Sequence, residues 1–151
     1  MTVPARDPEH VARVLAEIFG GRVIPLPHPR DTRLVYAGDG DGTAIEVWPA
    51  GLRIGADGDL DVTDLPLPEK WPHHAYLTGD QVDPDRVVAI FAREGWKAER
   101  VRNGPPHAGF SLVRGLIENH TGIEIGGREM RAEYERFFRE IVAPAEQRGA
   151  S

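Results

Sequence analysis

Apolar positions recur along this chain with two periods. Over residues 7–21, DPEHVARVLAEIFGG sets Val11, Val14, Leu15 and Ile18 at helical spacing. Asp7 is the expected N-cap, Pro8 stands where a missing N–H costs nothing, and Gly20 and Gly21 stop the run. DPDRVVAIFAREGW, residues 83–96, repeats the device with Asp83, Pro84, Val87, Ile90 and Phe91, stopped by Gly95. Period-two segments predict strands over 22–27, 32–37 and 43–48, then over 73–78, 97–102, 109–117 and 121–125. AGDGDG, residues 37–42, reads as a hairpin turn, and the Gly-, Asp- and Pro-rich residues 50–70 read as a linker. A last helix over 129–142 is expected to bury Tyr134, Phe137, Phe138 and Ile141, with a loose tail after it.

Two strands carry an acid among apolar neighbours. TAIEVWP places Glu46 between Ile45 and Val47, and TGIEIGG places Glu124 between Ile123 and Ile125. Alternation sends each glutamate to the face opposite its neighbours, and an ionised carboxylate is rarely buried without a partner. Either glutamate can therefore face solvent, pair with Arg33, Arg53 or Arg114, or belong to a site. The two segments also form a repeat. Asp7-Pro8-Glu9 matches Asp83-Pro84-Asp85 at an offset of 76, and Ile45-Glu46-Val47 matches Ile123-Glu124-Ile125 at an offset of 78. The chain thus reads as two copies of a helix followed by three strands. An extra strand, PHHAYLTG at 72–79, precedes the second copy. Its counterpart in the first copy is expected to be missing, since the residue matching His73 falls at 73 − 76 = −3.

Composition narrows the field. A length of 151 residues suits one domain or two small modules sharing a core. A formal charge of −6 argues for a soluble protein and against nucleic acid as partner. No run reaches the ~18 apolar residues of a membrane span, and MTVPARDPEH lacks the apolar region of a signal peptide. With no cysteine, thiolate catalysis and Cys-based metal sites are excluded, and a cytoplasmic setting is the expectation. The Gly-rich GDGDG stands outside the strand-to-helix context of a phosphate loop. Trp48, Trp71 and Trp96 read as core or interface residues.

In order, HHAYL, DPDRVVAIFAREGW and GFSLVRGLIENHTGIEI resemble a whole βαβββ module of the vicinal oxygen chelate superfamily. That superfamily includes glyoxalase I, bleomycin-resistance proteins and extradiol dioxygenases. The resemblance spans about residues 7–140. It implies an α+β fold of two such modules, the first without its first strand, forming a curved, mostly antiparallel sheet with a C-terminal helix. The expected division is a first module over 1–50, a linker over 51–70, a second module over 71–127, and a helix and tail over 128–151.

The resemblance also implies a cleft holding one divalent metal (Zn, Ni, Mn or Fe) on Glu46, His73 and Glu124, with Glu124 as the candidate base. Carboxylate and imidazole donors suit such ions, and open coordination positions let substrate oxygens chelate. Sharing a face with Ala75 and Leu77 makes His73 the expected inward residue, with His74 on the side of Tyr76. This set lacks the histidine of the first module's first strand. His107 and His120, in loops beside the cleft, are candidate ligand contacts. Glu118 reads as structural or solvated. The expected function is a glyoxalase-like small-molecule-binding protein with an incomplete metal site. The alternative is a metal-dependent lyase, isomerase or dioxygenase using Glu46, His73 and Glu124. A homodimer is the expected assembly, with no nucleic-acid or membrane partner.

Overall fold

A computed structural model describes residues 1–26, 31–37, 44–54, 60–62 and 75–142. The AGDGDG turn, His28, Trp71, His73, His74 and the C-terminal tail lie outside the described residues, apart from Ala37 of the turn. The helices begin where their sequence signals place them. The helix α1 (Pro8–Phe19) starts at Asp7, whose side chain accepts the His10 N–H at 3.0 Å. It ends on Gly20 in the left-handed region at φ 61°. The helix α2 (Pro84–Arg93) starts at Asp83, which accepts the Asp85 N–H at 2.9 Å.

The two halves build the same sheet. In the first half, β1 (Thr2–Ala5), β2 (Arg22–Pro25), β3 (Arg33–Tyr36) and β4 (Ala44–Pro49) are ordered β1-β4-β3-β2. In the second half, β7 (Tyr76–Thr78), β8 (Lys97–Asn103), β9 (Phe110–Ile117) and β10 (Thr121–Gly126) are ordered β7-β10-β9-β8. The first strand of each pairs parallel with the last, and the other pairings are antiparallel. Within the Gly- and Asp-rich segment, β5 (Leu52–Ile54) and β6 (Leu60–Val62) form an antiparallel pair.

The fold class is as expected, with one correction. The first strand of the first module is present, as β1. TVPA is too short for a clear period-two signal, and Pro4 argues against a central strand. At the sheet edge, however, the missing Pro4 N–H is tolerated, and Val3 and Ala5 are fully buried. The duplication extends to single hydrogen bonds. The Glu46 N–H donates to the Met1 carbonyl and the Glu124 N–H to the Ala75 carbonyl, each at 2.8 Å.

One core serves both halves. Val11, Leu15 and Phe19 of α1 pack with Val35, Ile45 and Val47, and the same cluster continues through Val87, Ile90 and Phe91 of α2 to Val113, Ile117, Ile123 and Ile125. Each such side chain contributes roughly 1.5–3 kcal/mol by leaving water. At Gly115 an added Cβ would lie 2.4 Å from the Phe91 ring, so only glycine lets α2 approach β9 this closely. The third helix, α3 (Arg128–Phe137), continues into a wider π-type turn, Phe138–Val142. That turn breaks helical spacing, so Phe138, expected in the core, is 46% exposed. The Ile141 side chain lies outside what is described.

Glu118 joins the modules. It and Asn119 have φ of 50° and 58°, as a type I′ turn between β9 and β10 requires. The His120 N–H closes that turn on the Ile117 carbonyl at 2.9 Å. The left-handed region costs a non-glycine residue roughly 1–2 kcal/mol. The conformation aims the carboxylate at the entry to α1, where it accepts the Arg6 N–H at 2.7 Å and the Asp7 N–H at 3.0 Å. Asn119 pins the other side, accepting from the Lys97 N–H and donating to the Gly95 carbonyl. The Arg93–Glu17 ion pair and a 3.0 Å contact between His10 Nε2 and the Glu94 carboxylate also cross between α1 and the end of α2.

Glu118→Ala should lower unfolding free energy by about 1–3 kcal/mol, through the loss of two acceptors for N–H groups. Glu118→Gly should lower it by about 1 kcal/mol less, because glycine relieves the strained turn. Urea denaturation of both variants measures the difference. Gly115→Ala should cost about 1–3 kcal/mol in the same assay, because Phe91 cannot retreat.

Candidate functional site on the glutamate-bearing faces

Alternation sorts each sheet into two faces. Ile45 and Val47, like Ile123 and Ile125, point to the helices and the core. Glu46 and Glu124 therefore point the other way. The registers match: Glu46 stands between Thr2 and Leu34, and Glu124 between Tyr76 and Arg114.

The two carboxylates have different company. Glu46 is half-buried and accepts the Trp48 indole N–H at 2.8 Å. Trp48 thus lies on the glutamate face, tethered to the acid two residues before it. Glu124 is 8% exposed and lies 3.4 Å from the Arg114 guanidinium, which compensates its charge. Of the three arginines considered, Arg114 is a partner of a repeated glutamate, whereas Arg33 pairs with Glu9. Arg53 has no described side chain.

On the far side of Arg114 from Glu124 lies a hollow of about 310 Å³ lined by Lys97, Ala98, Glu99, Arg114 and Leu116. The register puts Lys97 opposite Leu116 and Glu99 opposite Arg114, so the polar wall is mixed in charge and stands on the glutamate side. The other end of this face is roofed by α3. Tyr134 packs on Tyr76 at 5.0 Å and on Phe110 at 4.9 Å between ring centres, and Phe137 packs on Phe110 at 5.0 Å. Glu133 fastens the roof by accepting the Ser111 N–H at 2.7 Å and meeting Arg102 at 3.4 Å. Burial raises the Glu133 pKa, but the Ser111 hydrogen bonds and the Arg102 charge outweigh it and hold the carboxyl below its ordinary value. A second hollow, of about 410 Å³, lies between the starts of α2 and α3, lined by Asp80, Asp83, Arg100 and Arg128 among others.

Tyr76 faces this site, which corrects the expected facing of its strand. Leu77 packs against the core, while Tyr76 stands beside Glu124 with its hydroxyl over Gly126. His73 and His74 lie just upstream, outside the described residues. Among the described residues, no three of His, Asp and Glu gather closely enough to hold an ion. His107 is exposed in the turn before β9, and His120 follows β9 with a buried Nδ1 that has no hydrogen-bond partner among the described residues. The eight residues of β9 separate them, a span of roughly 25 Å. One small ligand therefore contacts at most one of these two. The sequence reading missed Tyr76, Lys97 and Glu99 as site-facing residues. Their strand register shows it, but only once the partner strands are paired.

Solved structures share this architecture. FosX from Listeria monocytogenes, a genomically encoded fosfomycin resistance protein solved with Mn(II) and sulfate, superposes with a TM-score of 0.59 at 11% identity, over 90% of this chain and 93% of that one. The chain has the vicinal oxygen chelate fold. FosX from Mesorhizobium loti gives 0.54 at 16% identity over 87% and 93% of the two chains. Lactoylglutathione lyase from Agrobacterium tumefaciens gives 0.52 at 15% identity over 85% and 91%. At these identities the likeness is one of fold. No protein-family model matches the sequence, and no curated protein matches it either. No helix among the described residues is long and apolar enough to cross a membrane.

The Glu133 latch makes α3 sensitive to acid. Its depressed folded pKa contributes stability above the unfolded value of 4.5, and that contribution is lost as pH falls through the folded value. Hydrogen exchange in α3 should therefore accelerate selectively below pH ~4.5, and Glu133→Gln should show the acceleration at neutral pH.

Proposed function

We propose that this chain is a glyoxalase-like small-molecule-binding protein whose ligand lies on the glutamate-bearing side of its sheets. The observation that carries this reading is Glu124, an almost buried acid turned away from the core and charge-compensated by Arg114 beside an open hollow. The metal site is read as incomplete.

The second reading is a metal-dependent lyase, isomerase or dioxygenase with Glu46, His73 and Glu124 as ligands. Its support is the matched register of the two acids and a donor set whose chemistry suits a divalent ion. Such an ion, when bound, polarises a substrate carbonyl or enediolate. In this reading Trp48 orients Glu46, and Arg114 must release Glu124 or share it. Both histidines of the HHAYL segment need testing. Residues His107 and His120 are read as alternative ligand contacts, one for each end of β9. The exposed sheet edges support pairing into a homodimer, and the absence of cysteine supports a cytoplasmic setting.

Elemental analysis of purified protein, with thermal shifts in Zn²⁺, Ni²⁺, Mn²⁺ and Fe²⁺, separates the readings. The binding-protein reading expects less than stoichiometric metal and no metal-dependent rise in melting temperature. Stoichiometric metal, abolished by Glu46→Ala, Glu124→Ala and one of His73→Ala or His74→Ala, establishes the enzyme reading instead.

A further inference from the structure

The Tyr76 hydroxyl is buried and has no hydrogen-bond partner among the described residues. A buried phenol O–H without an acceptor is costly, and native proteins seldom keep one. Its position is also contrived by a neighbour. A Cβ at Gly126 would lie 2.3 Å from the hydroxyl oxygen, so the glycine leaves the space the hydroxyl occupies. Gly126 is two residues beyond Glu124 on the same face of β10, and Tyr76 itself pairs with Glu124 across the parallel ladder. Around the ring stand Tyr134, and beyond it Phe110 and Phe137. The result is a donor at the end of an aromatic wall, next to an acid whose charge is met by Arg114.

We propose that the Tyr76 hydroxyl is the hydrogen-bond donor of the ligand site on the Glu124-bearing face, and that this site takes a small molecule carrying an acceptor oxygen on an aromatic body. The proposal rests on the small-molecule reading above and names the chemistry of its ligand. Burial, with the nearby Tyr134 and Glu124, raises the Tyr76 pKa to about 12, so the group is a donor throughout the physiological range. Glu124 can only accept while ionised, so it cannot serve an acceptor oxygen, and the neighbouring tyrosine supplies the missing polarity. The rings of Tyr134, Phe110 and Phe137 give the neighbourhood of this donor an aromatic surface, which favours an aromatic ligand body. The cover of this part of the face is α3. That helix has no side-chain N-cap, and Met130 is its one buried residue among those described.

The test uses the full chain and benzoate as probe, an aromatic ring bearing acceptor oxygens. Without ligand, Tyr76→Phe should melt about 2–4 °C higher than wild type, because it removes an unsatisfied buried group. By calorimetry, wild type should bind benzoate saturably and Tyr76→Phe about tenfold or more weakly. A lower melting temperature in Tyr76→Phe would mean that the hydroxyl already has a partner, and overturns the proposal. Equal benzoate affinity in the two proteins overturns the role of Tyr76 while leaving small-molecule binding intact. No benzoate binding by wild type overturns the ligand class assigned here, and the metal and thermal-shift measurements judge the broader reading separately.

Discussion

Everything in this molecule depends on a parallel strand pair closing each half. The strand before each helix returns to pair with the last strand of the same module, β1 with β4 and β7 with β10. A parallel connection requires a crossover, and the crossover helix must lie on one face of the sheet. Once α1 and α2 take that face, strand alternation leaves the other to Glu46 and Glu124. The acids are thus consequences of topology as much as of local sequence. Each strand offers its apolar residues to the helix, and whatever stands between them is presented to the opposite side.

The two halves then diverge within this common frame. Glu46 has a neutral indole donor and half-exposure; Glu124 has a guanidinium and near-complete burial. The second face is also roofed by α3 through Tyr134 and Phe137, for which the first half has no counterpart among the described elements. Duplication supplied equivalent positions, and the surroundings gave them unequal chemistry. Charge compensation by Arg114 favours a static Glu124, whereas Trp48 fixes the aim of Glu46 without neutralising it.

Much of the fold was legible in the sequence. The Asp-Pro caps and the spacing of Val11, Leu15, Val87 and Phe91 located both core helices, and the isoleucines flanking each glutamate located the sheet faces. The first strand was not legible, because TVPA has four residues and its partner Glu46 is 44 positions beyond Thr2. No local pattern reports a pairing at that range. The facing of Tyr76 was misread for a related reason: Ala75 and Leu77 look like a site-facing pair until Ile125 claims Leu77 for the core. The role of Glu118 was invisible because its acceptors' partners, Arg6 and Asp7, are more than a hundred residues away. Exposure of Phe138 followed from a change in helical winding that periodicity cannot register. The sequence-based site is legible only as positions, since burial, not residue type, distinguishes Glu124 from Glu46.

The Glu118 clamp has a bearing on how the chain acquires its shape during synthesis. The N-terminal module leaves the ribosome first, with its own helix and strands, yet the backbone amides at its helix entrance find their carboxylate only in the turn between β9 and β10. Until residue 118 emerges, those two amides lack this acceptor, and the entrance keeps only its local Asp7 cap. The early half is therefore a nascent intermediate that matures last at its own beginning, and the final fastening of the first-made helix belongs to the last-made sheet.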